Sequence, residues 1–238
     1  MTGLLTIDEM TVIEHLALES DNATGLEQMQ RTGEGIADAI CTQWPELLND
    51  VHEAAVFCGP GITGVFGVFA AKALAARELL INLYHCDLPD IINPASLQQR
   101  NNLIAPIQRF LSTHGKAELP AMARLDEGFD GNHVVIDAAF GRELVRPIPL
   151  YWREILGCIG VYSQNPRLVA LDLPSGFDAK NGQLIDFTAA EIVENGYIVE
   201  MRTDAYDLTV SLSGDCKALH TDPCASYCGQ IVDHPATS

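Results

Sequence analysis

Residues 171–179 read LDLPSGFDA, and they end an apolar run, Leu168 to Leu173, that delivers Asp172 into a Pro174-Ser175-Gly176 turn. A buried parallel strand presents a carboxylate and a hydroxyl in this way at its C-terminal end, the edge where open α/β sheets collect ligands. Two other strand-to-loop junctions carry related chemistry, AAVFCGPGITG at 54–64 and HVVIDAAFG at 133–141. Three strands that end in Gly-, Asp- or Ser-bearing loops predict a small-molecule site.

Outward from these junctions the chain alternates strand and helix. Ala54–Cys58, Leu79–His85, His133–Asp137 and Leu168–Leu173 read as strands, with shorter ones at Ala205–Leu212 and Gly229–Asp233. Leu26, Met29, Ile36, Ala37 and Ile40 recur at helical spacing, which predicts a helix over 25–43. Thr24 and Glu27, like Thr6 and Glu9 before them, have the spacing of a capping box. Further helices are expected over Val65–Ala76, 95–113 and Pro149–Tyr162, and 114–132 reads as turns with a short element. The alternation predicts one α/β domain over 1–238, a doubly wound and mostly parallel sheet with helices on both faces.

Composition narrows the partners. The 238 residues are 47% apolar and 19% charged, enough to bury a core. With 14 basic against 32 acidic residues the net charge is −18, so no basic stripe is available to neutralise nucleic-acid phosphates, and no nucleic-acid partner is expected. An anionic ligand would need local compensation from backbone amides, a helix N-terminus or a bound cation. No apolar run approaches the ~20 residues of a membrane span. The start, MTGLLTIDEM, lacks the features of a secretory signal, and a cytoplasmic location is expected. Seven cysteines, an odd number, make no disulfide framework. Cys216, His220, Cys224 and Cys228 carry zinc-capable side chains, yet C-x-x-C spacing is missing and Pro223 interrupts the segment, so a loop with incidental thiols is expected.

Gly59, Gly61 and Gly64 stand between a strand and a helix with G-x-G-x-x-G spacing. That spacing admits an anion at the helix N-terminus, and it also describes a tight turn that binds nothing. Glu78 precedes the next strand instead of ending it, which argues against a conventional dinucleotide site. Asp137, Asp172 and Ser175 have two readings as well, turn caps or site groups. If their strands are neighbours, Asp137, Ser175 and the 59–64 loop converge, and oxygen ligands of that kind suit a hard cation.

These residues carry a resemblance. The chain resembles the YjeF N-terminal domain family, the NAD(P)H-hydrate epimerases, over almost its whole length. The opening helix matches at Ile7–Leu16 and the second helix at Glu27–Ile40. C-G-P-G is Cys58–Gly61, D-A-x-F-G is Asp137–Gly141, and D-x-P-S-G-x-D-A is Asp172–Ala179. The A-D-L-T-V-T-like strand is Tyr206–Ser211, and C-G-E-V-V corresponds to Cys228–Val232. The resemblance implies a Rossmann-like three-layer α/β/α sandwich, often a homodimer through its N-terminal helices. It implies interconversion of the R and S hydrates of NADH and NADPH, of which a partner NAD(P)H-hydrate dehydratase repairs only the S form. By the same resemblance a potassium ion is held by Thr63, Asp137 and Ser175, substrate by Gly61, Ile62, Thr63, Gly64, Gly141, Arg142 and Asp172, and Asp172 is the catalytic acid/base.

The chain also departs from the pattern. Family members carry N-N-G-G-D-G after C-G-P-G, and Ile62-Thr63-Gly64-Val65-Phe66-Gly67 stands here. Thr63 thus replaces an Asn ligand, and Phe66 replaces a carboxylate with an apolar ring. Arg142-Glu143 replaces a Thr-Gly-containing anion loop, where Arg142 attracts a phosphate and Glu143 repels one. Two functions follow from the resemblance, an epimerase working through Asp172, or a non-catalytic scaffold of the same fold that dimerises or binds a nucleotide-like metabolite. A third is the same fold turned to a less anionic substrate, with Phe66 as an aromatic wall.

Overall fold

A computed structural model describes residues 22–59, 61–85, 116–118, 132–144, 147–148, 166–185, 205–212, 214 and 216–233. The capping box at Thr6 and Glu9, the opening helix, and the helices expected over 95–113 and 149–162 lie outside the described residues.

Among the described residues seven strands form one sheet: β1 (Glu53–Cys58), β2 (Leu80–His85), β3 (Lys116–Glu118), β4 (Asn132–Ala138), β5 (Arg167–Leu171), β6 (Leu208–Ser211) and β7 (Gln230–Asp233). Their order across the sheet is β3-β2-β1-β4-β5-β6-β7 and every pairing is parallel. The fold is a Rossmann-like α/β sandwich, and the order reverses between β1 and β4, the switch point at which such sheets open a crevice. The central strands carry apolar runs, Ala54–Cys58 in β1, Val134–Ile136 in β4 and Leu168–Leu171 in β5, whose residues are buried on both faces of the sheet. Along β1, Ala54, Val56 and Cys58 enter one core cluster while Ala55 and Phe57 enter the other.

The first cluster lies under two helices, α1 (Asn22–Gln43) and α2 (Ile62–Ala75). Met29, Ile36, Ala37 and Ile40 of α1 and Val68, Phe69 and Leu74 of α2 are buried in it. Burying one such large side chain contributes about 1.5–3 kcal/mol. The second cluster gathers Phe57, Val135, Phe140, Leu168, Ala170 and Tyr206 on the opposite face. A third, with Leu173, Phe177, Cys216, Leu219, Cys224 and Cys228, packs around the turn that follows β5.

Several boundaries differ from expectation by a few residues, three of them at helix starts or beside the turn after β5. Helix α1 opens at Asn22, so Thr24 lies inside its first turn and is not the N-cap. Helix α2 begins at Ile62 and not at Val65, which places Ile62, Thr63 and Gly64 in its first turn. Strand β5 ends at Leu171, and Asp172 follows with φ 70°, a left-handed conformation uncommon for a residue with a Cβ.

Candidate functional site at the switch point

The loop after β1 and the loop after β4 are tied backbone to backbone. Gly59 N–H donates to Ala138 O (2.9 Å), and a Cβ at Gly59 would stand 1.4 Å from Ala139 O, so only glycine fits this crossing. Gly61 then caps α2 in an extended conformation with no side-chain cap. The first intrahelical acceptor is used at Val65 N–H, which reaches Gly61 O at 3.3 Å, and the amides before it face out of the helix end. That end is suited to a negative charge.

Thr63 sits in this first turn, 1% exposed, and its hydroxyl has no hydrogen-bond partner among the described residues. Gly141, at φ 49°, opens a short 3-10 turn against it, and a Cβ there would meet Thr63 Oγ1 at 2.5 Å. A buried hydroxyl left unmatched within the fold is what a ligand-facing group looks like.

Asp137 and Ser175 meet one strand over. Ser175 Oγ donates to Asp137 Oδ1 (2.7 Å), Ser175 N–H donates to Oδ2 (3.0 Å), and Phe140 N–H donates to Ser175 Oγ (3.1 Å). Ala139 N–H adds a bond to Oδ1 at 3.1 Å. Tyr206 Oη, from the lead-in to β6, donates to Oδ2 at 2.5 Å. The expected convergence of Asp137, Ser175 and the 59–64 loop is thus present, because β1, β4 and β5 are consecutive in the sheet. Reading the residues one by one missed Tyr206; the available signal was a tyrosine where the A-D-L-T-V-T pattern has alanine.

Arg142 takes a direction other than the expected one toward a phosphate. Its Nε donates to Asp172 Oδ2 and its Nη2 to Oδ1, a bidentate pair in which both side chains are buried. Asp172 N–H donates to Val210 O (2.7 Å), which anchors the left-handed residue to β6. The Cys216 thiol lies within electrostatic reach of the pair: burial pushes it up first, the Asp172 charge adds to that, and Arg142 opposes it. Phe66, 3% exposed, is packed in the core cluster under the helices.

The oxygen set can be tested against a potassium ion. A carboxylate offers about four acceptor positions. The donors on Asp137 are four: Ala139 N, Ser175 N, Ser175 Oγ and Tyr206 Oη. Ser175 Oγ keeps one lone pair and Thr63 Oγ1 keeps its own, but both are neutral, and the charged ligand of the set, Asp137, has its acceptor positions filled by protein donors. The residues present do not fit the ion as a three-ligand site.

Cys216, Cys224 and Cys228 are buried in the third core cluster, whereas His220 is exposed. Cys224 Sγ and Cys228 Sγ lie 3.8 Å apart as thiols, and Cys228 Sγ donates to Cys224 O at 3.2 Å. Among the described residues no group of three or more metal-capable side chains comes together.

The model of the YjeF-related protein N-terminus matches residues 25–201. The chain belongs to that family. It is 32% identical over 182 residues to the NAD(P)H-hydrate epimerase of Rhodobacter capsulatus, covering 75% of this chain and 79% of that protein. It is 25% identical over 232 residues to the bifunctional NAD(P)H-hydrate repair enzyme Nnr of Coxiella burnetii, covering 98% of this chain and 41% of that protein. The crystal structure of yeast ynu0 (YNL200c) has the same fold, with a TM-score of 0.64 at 17% identity over 97% of this chain and 87% of that one. Within this YjeF-related chain no described helix is long and apolar enough to cross a membrane.

Proposed function

We propose that this chain is an NAD(P)H-hydrate epimerase that interconverts the R and S hydrates of NADH and NADPH. The observation that carries the reading is the meeting of Thr63, Gly141, Asp137, Ser175 and Asp172 at the switch point of a sheet whose relatives bear that name. A phosphate of the substrate sits at the N-terminus of α2, against Gly61, Ile62 and Gly64, with the Thr63 hydroxyl as a further donor. Arg142 supplies the local positive charge that a chain of net charge −18 otherwise lacks.

The hydrated ring carbon is a hemiaminal. Asp172, in its acid form, gives a proton to the hydroxyl, which leaves as water under the push of the ring nitrogen. Water adds to the opposite face and its extra proton returns to Asp172 through solvent, so the site ends as it began. In this reading Arg142 turns from Asp172 to the substrate's phosphates, which frees the Asp172 carboxyl for the proton transfer. No step passes through a cation.

The S form feeds an NAD(P)H-hydrate dehydratase, and the chain works in the cytoplasm as one domain over 1–238, paired with a second copy through its N-terminal helices. A coupled assay tests the reading. Purified protein is added to mixed R and S NADHX with an S-specific dehydratase, and recovery of NADH absorbance is followed. The slow phase set by spontaneous epimerisation disappears if the chain is an epimerase and persists if it is not. One observation favours a non-catalytic scaffold that binds a nucleotide-like metabolite: both Asp172 oxygens are held by Arg142. For that reading, the slow phase persists while folded protein still binds ADP.

A further inference from the structure

We infer that the Tyr206 hydroxyl stands in for the alkali cation beside Asp137, so that this chain assembles its site without potassium. The inference rests on membership of the family and not on turnover. Tyr206 Oη and Ser175 N–H share Asp137 Oδ2, at 2.5 and 3.0 Å, while Ser175 Oγ and Ala139 N–H share Oδ1, at 2.7 and 3.1 Å. Short O–H to carboxylate bonds are among the strongest neutral-to-charged contacts a fold can make. They spread the carboxylate charge over protein donors, which is the task a bound cation would otherwise perform.

The hydroxyl is held in place from both ends. Tyr206 is 7% exposed and its ring belongs to the cluster with Leu168, Ala170 and Phe140. Its own N–H donates to Tyr227 O at 2.9 Å, which fixes the backbone at the lead-in to β6. The alanine of the family pattern has no donor at this position. Thr63 replaces the family's Asn ligand near the same corner, so two departures from the pattern act together. One adds a donor to the carboxylate, and the other removes an amide oxygen from the place of the ion.

The test is a set of thermal melts of the full chain in KCl and in choline chloride at equal ionic strength, with the Tyr206→Phe variant beside it. A ligand that binds only the folded state raises Tm. The wild-type Tm is expected to agree between the two salts to within about 1 °C. Tyr206→Phe is expected to lose roughly 3–10 °C in choline chloride and to recover part of that loss in KCl but not in NaCl. A merely structural tyrosine would show the loss without cation-selective recovery, and that outcome overturns the inference. A wild-type Tm that rises in KCl by more than about 2 °C overturns it as well. The wild-type comparison decides whether or not the variant folds, and because the melts need no substrate it is independent of the epimerase reading.

Discussion

Arg142 grips Asp172 with two nitrogens, Nε on Oδ2 and Nη2 on Oδ1, and neither side chain reaches solvent. Asp172 meets this grip from a left-handed backbone, φ 70°, a conformation that costs of order 1–3 kcal/mol at a non-glycine residue. Such strain persists where surrounding contacts over-determine it. Here the contacts are the guanidinium, the bond from Asp172 N–H to Val210 O, and the packed turn through Pro174 and Ser175. A buried ion pair adds little net stability, yet loss of one partner strands the other.

Arg142→Met is therefore expected to destabilise the fold by about 3–5 kcal/mol, because the Asp172 charge is left without its partner. The double variant Arg142→Met, Asp172→Leu is expected to lose much less than the two single losses combined. Urea unfolding of the four proteins gives the coupling; simple additivity would mean that the pair is not formed in solution.

Thr63 separates stability from function. Thr63→Val removes a buried hydroxyl with no partner among the described residues, so stability is expected to stay within about 1 kcal/mol or to rise. Affinity for an ADP-bearing ligand is expected to fall several-fold. Gly141→Ala behaves in the opposite way: its Cβ meets Thr63 Oγ1 at 2.5 Å and its φ of 49° suits glycine, so a stability loss of about 1–3 kcal/mol is expected. Calorimetric unfolding and ligand titration of both variants check the split.

Acid stability involves the far end of the sheet. Partial desolvation holds the largely exposed His133 imidazole below its ordinary 6.5; the neighbouring His52 and Arg167 add to this and Glu53 opposes it. Glu53 N–H donates to His133 Nδ1 at 3.1 Å, a bond that needs the neutral ring. The unfolded chain binds the proton first, so the contribution of His133 is full above pH 6.5 and is lost as pH falls below it, through the lower value of the folded state. His133→Gln is expected to flatten the stability profile on the acid side of 6.5 and to leave it unchanged above, as read by denaturant midpoints across pH.

The thiols are expected to be inert in the folded protein. Cys41, Cys58, Cys216, Cys224 and Cys228 are all buried and unpaired in disulfides. The hydrogen bond between Cys224 and Cys228 pushes the Cys224 thiol far up, with burial adding to it, and pushes the Cys228 thiol down, so at Cys228 it is complete burial that withholds the sulfur from a reagent. Alkylation followed by peptide mapping should leave these five unmodified in native buffer and modify all seven cysteines in denaturant. Rapid native labelling of Cys224 or Cys228 would contradict the packing of the third cluster.

Strands β1, β4 and β5 were legible because parallel strands buried on both faces read as unbroken apolar runs. Their neighbour relations made the meeting of Asp137 with Ser175 legible too. Tyr206 was not, since an aromatic at the start of a strand reads as core, and its partner Asp137 is 69 residues away in sequence. Arg142 was legible as a charge but not in its direction, because nothing local decides between an external phosphate and Asp172, 30 residues on. The start of α2 was missed by three residues, Ile62 instead of Val65, because Gly61 caps the helix with backbone geometry alone.

The most direct test of the account starts from a single purified epimer. S-NADHX is incubated with the protein and the R form is followed by chromatography against a no-enzyme control. The account predicts an R/S mixture formed orders of magnitude faster than in the control, and Asp172→Asn, folded, returning the rate to that of the control. Equal rates with and without folded wild-type protein would contradict the epimerase assignment.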